Sequence, residues 1–355
     1  SPLSPLLFIA FMLVGLYGLY ATPRQEDPQI SVPMIDIMLQ MPGASSQEVS
    51  RLVVSPLERL VSEIHGVKHV YSVSDEGMGI ITLEFHVGEE IERAIVLTHN
   101  KVQSNLDQMP PGVEMPLIKP KEVDDVPVVT LTLWSESMDD AGLRTLGVSL
   151  MHELKQLPHT GNAFVSGGRA EQVRVDVLPE RLKGYGISMG HIAQTIQKFN
   201  TEQTVGSVER DGKFFWVKTG VFLQSAADFE RLVVGSHDNL PVYLRDVAEI
   251  TVGPEEARHQ VSYYTGPANE GKQVYGAQAV TIAIAKQHGA NGVVVVNNVL
   301  EEVEHLKGYL IPDNVNVEVT RNYGKTANDK VNSLLFKLLI ATAAVTFLVW
   351  ISLGM

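Results

Sequence analysis

Two apolar stretches bracket this chain and limit what it can fold into. From Leu3 to Tyr20 no residue carries a charge, and "SLLFKLLIATAAVTFLVWISLGM" at the other end carries one, Lys337. A helix of about 17 to 25 apolar residues crosses a hydrocarbon core while satisfying its own backbone. Both stretches therefore read as transmembrane helices, residues 1–24 and 331–355, with everything between them on one side of the bilayer. Lys337 stands near the start of its span, where its long stem lifts the ammonium to the interface. A secretory signal peptide ending at "LYA" is the rival reading of the first stretch, disfavoured by the lack of a basic n-region. Counting basic residues does not choose the side, because so long a loop escapes the positive-inside rule. The missing initiator Met leads one to expect further N-terminal sequence.

The region between the spans has room for two or three domains. A formal net charge of −13, with no long Lys/Arg cluster to offset it, argues against nucleic acid as a partner. With no cysteine there is neither a disulfide framework nor a thiolate site.

After Pro33, "MIDIMLQ" alternates, with Ile35, Ile37 and Leu39 on one face of a strand. Pro42-Gly43 ends it, and Ser45 with Glu48 forms a capping box for a helix carrying Val49, Leu52, Val53, Leu57, Leu60, Val61 and Ile64 in step. Pro56 is expected to kink that helix. Two strands joined at Gly77, a second amphipathic helix ended by "PPG" and a short strand near "MPLIKP" complete the order β-α-β-β-α-β. The order then restarts. "VPVVTLTLW", a leucine-marked helix and "NAFVSG" form one βαβ half, and "AVTIAIAKQ", a valine-rich helix and "NVNVEVTRN" form the other. Between the halves, residues 167–258 carry a strand, helix and hairpin pattern of their own. The fold expected is thus an α+β membrane protein: two ferredoxin-like βαββαβ subdomains with an inserted α/β subdomain, flanked by transmembrane helices.

Motifs for chemistry are weak. "GPANEGKQ", Gly266 to Gln273, nearly spells a phosphate loop, but Gln273 replaces the metal-binding hydroxyl and a strand follows, so ATP binding is rejected. Met34, Met38 and Met41 are expected to fill ordinary packing space rather than to pass a soft cation. His65 and His69 lack the helix and the glutamate of a zinc motif. Asp124-Asp125 reads as a solvated pair on a loop. No nucleophile, base and orienting group assemble, so neither an enzyme, a metal nor a cofactor is expected.

The spaced series "RQEDPQISVP", "PGASSQEV", "SPLERL", "GVKHVYSVS", "VYLRDVAEI" and "NYGKTANDKV" is similar to the N-terminal part of resistance-nodulation-division efflux transporters, inner-membrane permeases, over the whole chain. The resemblance implies a bacterial inner (plasma) membrane protein whose region between the spans is periplasmic. It assigns residues 25–127 to a first porter subdomain, 128–166 with 259–323 to a split second one, and 167–258 to an inserted docking subdomain. It implies a secondary active, proton-driven antiporter of small molecules working as a homotrimer, with a periplasmic adaptor and an outer-membrane channel as possible partners. The proton-carrying aspartates of the family lie on a later span, beyond this chain, and neither apolar segment holds Asp, Glu or His. The alternative is a membrane-anchored periplasmic binding or scaffold module without transport of its own.

In multidrug members two phenylalanines line a greasy pocket. Their places here fall on Val128 and Ser166, with Phe164 nearby on the same strand face as Ser166. Loss of two aromatic faces points to a narrower or more polar substrate range. The hairpin bearing Arg210, Asp211, Gly212 and Trp216 is the candidate for reaching a neighbouring protomer.

Overall fold

The computed structural model describes residues 3–25, 32–201, 203–210, 213–219, 222–223, 225–257, 259–269 and 271–353. In chain order the first part holds α1 (Leu3–Ala21), β1 (Met34–Gln40), α2 (Ser46–Val49), α3 (Ser55–Ser62), β2 (Val67–Asp75), β3 (Met78–Phe85), α4 (Ile91–Gln103) and β4 (Leu117–Lys121). Next come β5 (Val129–Ser135), α5 (Asp140–Lys155) and β6 (Thr160–Ser166). Then follow β7 (Glu171–Val177), α6 (Pro179–Tyr185), α7 (Met189–Phe199), β8 (Gln203–Arg210), β9 (Lys213–Thr219), α8 (Ala226–Glu230), β10 (Val233–His237), β11 (Leu240–Tyr243), α9 (Leu244–Val247) and β12 (Ala248–Pro254). The chain closes with β13 (Ser262–Tyr264), β14 (Tyr275–Lys286), α10 (Gly292–Leu306), β15 (Asn316–Asn322) and α11 (Tyr323–Leu353). These divide into two compact units, Ser1–Ser137 with Leu146–Ser166 and Ser262–Met355, and Met138–Thr145 with Gly167–Val261.

The first unit contains an α+β repeat. One sheet has the order β2-β3-β1-β4 and the other β6-β14-β5-β15, every neighbour antiparallel, so corresponding strands occupy corresponding places. β14 is long enough to pair with β13 through its first residues and with β6 through its last. Alternation explains the first sheet: Ile35, Ile37 and Leu39 are buried together with Ile81, Leu83 and Phe85 against Val49, Val53, Val54, Leu57 and Val61. Burying each such side chain contributes about 1.5 to 3 kcal/mol.

The capping box forms as the spacing predicts, with the Ser45 N–H donating to Glu48 Oε2 at 2.9 Å and the Glu48 N–H to Ser45 Oγ at 3.4 Å. The expected kink at Pro56 takes another form. A π turn, Ser50–Val54, joins α2 to α3, and Pro56 lies in the first turn of α3, where its missing N–H costs little. The wider turn shifts the phase, so Leu52, in step with ordinary helical spacing, is left exposed while Val53 and Val54 are both buried.

Of the pair read as solvated, Asp125 is exposed but Asp124 is not. Asp124 accepts from the ammonium of Lys286, a residue only 6% exposed, and its second oxygen lies 2.8 Å from His288 Nδ1. Burial pushes the Asp124 carboxyl up, but the hydrogen bonds from Lys286 and His288 outweigh it and hold it below its ordinary value. Gly161 makes room here: a Cβ would sit 2.5 Å from the Lys286 carbonyl oxygen.

In the second unit β7 pairs with β12, β10 with β11, and β8 with β9, all antiparallel. Leu182, Ile192, Val234, Val242, Leu244 and Val247 form its core. The run "VYLRDVAEITV" holds the end of β11, the single turn α9 and most of β12, and Leu244 and Val247, three apart on one helical face, both bury. Arg169 holds Asp140, at the start of α5, through bonds of 2.7 to 3.1 Å to both carboxylate oxygens.

Among the described residues one helix is long and apolar enough to cross a membrane, Tyr323–Ser352; the apolar run of α1, Leu6–Ala21, is shorter. α11 follows β15 without an intervening residue, its first turn capped by Asn322 Oδ1, which accepts from the Lys325 N–H at 2.7 Å. The backbone carbonyl of Arg24 accepts from the Gly292 N–H, and the Arg24 guanidinium donates to Asn328 Oδ1 at 2.8 Å, tying the chain after α1 to α10 and α11.

Two stability predictions follow from these ion pairs. Lys286→Met is expected to lower stability by about 3 kcal/mol, by leaving a largely buried carboxylate without its ammonium. The double change Lys286→Met with Asp124→Leu should recover most of that loss in denaturant titrations. The hydrogen bonds from Arg169 hold the Asp140 carboxyl below its ordinary value. The stabilisation it contributes is therefore complete above the unfolded-state value and is lost as pH falls through the lower folded value. Thermal unfolding of Asp140→Asn should consequently show a smaller stability loss between pH 7 and the acid range than the unaltered chain does.

Candidate functional site

Helices cover one face of the second sheet and leave the other free. α5 sets Gly147 against Val165 and Val280, which fixes the covered face, and Leu131, Leu133, Ile282 and Ile284 are fully buried on it. The free face is read from the register. Phe164 lies opposite Ala283 and Ser166 opposite Thr281 across β6 and β14, and Ala283 and Thr281 lie opposite Thr130 and Thr132 of β5. Phe164 and Ser166 are thus brought to one exposed surface, the phenyl ring 50% exposed. Val128 precedes β5 by one residue and is differently placed. It is 8% exposed, its N–H donates to the Ile284 carbonyl at 2.9 Å, and its own carbonyl accepts from the Tyr323 N–H at 2.9 Å.

Three further features of this face escaped sequence reasoning. The first is a ladder of hydroxyls across the strands: Thr281 Oγ1 lies 3.0 Å from Thr132, and Thr320 lies 3.1 Å from Thr132 and 2.9 Å from Thr130. An irregularity in β15 between Val319 and Arg321 gives Thr320 this double reach, since a bulged residue has no single partner opposite it. The second is Trp134, stacked on Tyr263 with ring centroids 5.1 Å apart and planes 6° from parallel. The third is Lys272, whose ammonium lies over the Trp134 ring and pairs with Glu136. The alternation of Thr130, Thr132 and Trp134 in "VTLTLW" was the available signal for a polar and aromatic face; the partners were too distant in sequence to be foreseen.

Lys272 belongs to the "GPANEGKQ" segment. Thr265 and Val274 close its base by hydrogen bonds, and β14 follows it, so no helix N-terminus is offered to a phosphate. Of the docking candidates, Arg210 ends β8 and is paired in register with Lys213 of β9, Trp216 lies within β9 opposite Ser207, and Asp211 and Gly212 lie outside the described residues. Glu122, Asp124 and His288 bring possible ligand atoms within 4.8 Å of one another, but a cation placed there would meet the Lys286 ammonium.

The placements make different demands on substitution. Phe164→Asp should leave the melting temperature within about 1 to 2 °C, because a half-exposed strand residue loses little. Val128→Asp should lower it by several degrees or prevent folding, because a carboxylate would replace a buried isopropyl group. Equal tolerance at the two positions would show that Val128 is not part of the packed interior.

A model of the AcrB/AcrD/AcrF family matches residues 3–355. Among curated proteins the chain is similar to the multidrug resistance protein MdtC of Edwardsiella ictaluri, 29% identical over 340 residues, covering 95% of this chain and 32% of that protein. It is also similar to the protein of the same name from Erwinia amylovora, 27% identical over 349 residues (98% of this chain, 33% of that one). A third, from Pantoea ananatis, is 29% identical over 353 residues (99% and 33%). The chain spans about a third of the length of the curated relatives it matches.

Proposed function

This chain belongs to the AcrB/AcrD/AcrF family, within the resistance-nodulation-division superfamily, and we propose that it is the N-terminal part of a proton-driven exporter of small molecules in a bacterial inner membrane. The observation that carries the reading is the family match along the entire chain, joined by the curated relatives, whose names describe multidrug resistance. The bare apolar surface of α11, where Leu334, Phe336, Leu338, Leu339, Phe347 and Trp350 are all more than half exposed, supports a bilayer partner.

In this proposal the two sheets of like strand order are ferredoxin-like porter subdomains, 25–127 and 128–166 with 259–323, and residues 167–258 are the docking subdomain. The two apolar helices flank them, with the region between in the periplasm. The transporter works as a homotrimer, with the β8–β9 hairpin, bearing Arg210, Asp211, Gly212 and Trp216, reaching the next protomer. A periplasmic adaptor and an outer-membrane channel complete the route. Substrate meets the free face of the second sheet at Phe164 and Ser166, near Val128. Because threonine hydroxyls run across that face beside Phe164, and Val128 and Ser166 stand where two phenylalanines line the pocket of multidrug members, it binds a narrower and more polar set of compounds than a pocket with both rings does.

Alkaline phosphatase fused after Trp134 should be active if the region is periplasmic. Expression of the full-length protein in a pump-deficient host should raise resistance to a few members of a panel of lipophilic cations and dyes. Ser166→Asp and Phe164→Asp should change which ones. No change of susceptibility to any compound, with the protein present in the membrane, would remove the transport assignment.

A further inference from the structure

One arginine joins the ends of the two apolar helices. Arg24 follows the apolar run of α1, which stops at Ala21, and its guanidinium reaches across to α11. Nη1 donates to Asn328 Oδ1 at 2.8 Å and to Asn332 Oδ1 at 3.4 Å. The backbone is held as well, because the Arg24 carbonyl accepts from the N–H of Gly292, the first residue of α10, at 3.0 Å. α11 is in turn seated on α10 at Gly324, where a Cβ would lie 2.9 Å from the Val296 Cβ. Gly324, Asn328 and Asn332 follow one another at four-residue steps, so one face of α11 provides both the seat and the cradle.

Both acceptors are amides. A carboxylate in either place would neutralise the guanidinium, whereas an amide oxygen holds it and leaves its charge uncancelled. Among the described residues no carboxylate pairs with Arg24, and Asp329, next to Asn328, is exposed. Both bonds also leave from one nitrogen. Nε and Nη2, an edge on which a guanidinium takes two oxygens of a phosphate at once, have no partner among the described residues. Arg24 stands, moreover, where apolar surface begins on both helices. Ala21 ends the run of α1, and Leu334, two residues past Asn332, opens the exposed apolar surface of α11. In a bilayer that level belongs to the headgroups.

We infer that Arg24, set in place by Asn328 and Asn332, binds the phosphate of a membrane phospholipid whose acyl chains lie along the bare surfaces of α1 and α11. The inference rests on the reading of those helices as membrane-spanning. The chain as a whole carries a net charge of −13, which repels anionic surfaces, so attraction for a phosphate at this point is local. The two asparagines make the site selective: they fix the guanidinium without competing for its charge.

The test uses the complete chain in a neutral maltoside detergent, to which dioleoylphosphatidylglycerol or dioleoylglycerol is added. The two share their acyl chains and differ in the phosphate headgroup. Lipid retained per chain after gel filtration is measured by mass spectrometry. Phosphatidylglycerol should be retained on the order of tenfold more strongly, the factor expected for a charged hydrogen-bonded contact, and Arg24→Gln should abolish the difference. Asn328→Asp keeps the size and the hydrogen bond but gives the guanidinium a carboxylate. It should hold or raise the melting temperature while lowering phosphatidylglycerol retention several-fold. An arginine that only staples the two helices would be served better by the aspartate, with retention unmoved, and that result overturns the inference. So does equal retention of the two lipids by the unaltered chain, or displacement of the lipid by inorganic phosphate at the same concentration, which assigns the site to a soluble anion. Flotation with phosphatidylcholine vesicles decides the underlying reading separately. A chain that does not float removes the membrane assignment and the site with it, and one that floats but retains both lipids alike removes the site alone.

Discussion

A β-sheet places successive side chains on opposite faces, and in this protein helices cover only one face of each repeated sheet. The rest of the first unit depends on that constraint. On the covered faces it yields runs of branched aliphatic residues packed to near-zero exposure. On the free face of the second sheet it yields residues that must satisfy one another: threonine hydroxyls bonded across three strands, and a tryptophan and a tyrosine meeting across a strand that offers only alanines. A surface of this kind is neither core nor simple solvent boundary. It is dry enough to strand an indole N–H and polar enough to hold a row of hydroxyls.

What could be read from the sequence was local. The alternation of β1, the capping box at Ser45, the Gly77 turn and the helical spacing of α10 each depend on residues within a few positions of one another, and each lies where that spacing puts it. The misread features depended on distance or on a local exception. Asp124 looked like half of a solvated pair because the lysine that answers it is 162 residues away. The hydroxyl bond of Thr132 was not foreseen because its partner Thr281 is 149 residues away. Leu52 failed for the other reason: a π turn changed the period in the middle of a pattern. For the candidate site, strand parity put Phe164 and Ser166 on one face, but that Val128 is buried, its backbone bonded to Ile284 and Tyr323, is contained in no periodicity.

Charge is distributed to suit this division. Where an ammonium is enclosed, as at Lys286, it is held by a carboxylate that is itself mostly enclosed, and the pair joins the segment before β5 to the end of β14. At Lys272 the ammonium and its carboxylate are both exposed. The first pair is expensive to open, because each charge would be stranded in poor solvent; the second exchanges its partner for water at little cost.

The junction between β15 and α11 has a mechanical meaning. Strand and helix meet without a residue of slack, Asn322 caps the first turn, and the Tyr323 N–H is bonded to the Val128 carbonyl at the start of β5. A helix of 31 residues is a rod of roughly 46 Å at about 1.5 Å per residue. Fastened in this way, it behaves as a lever whose short arm is a strand of the second sheet. A tilt imposed on its apolar end would load the pairing of β15 with β5 before any other contact of the sheet, because no loop stands between them to absorb it.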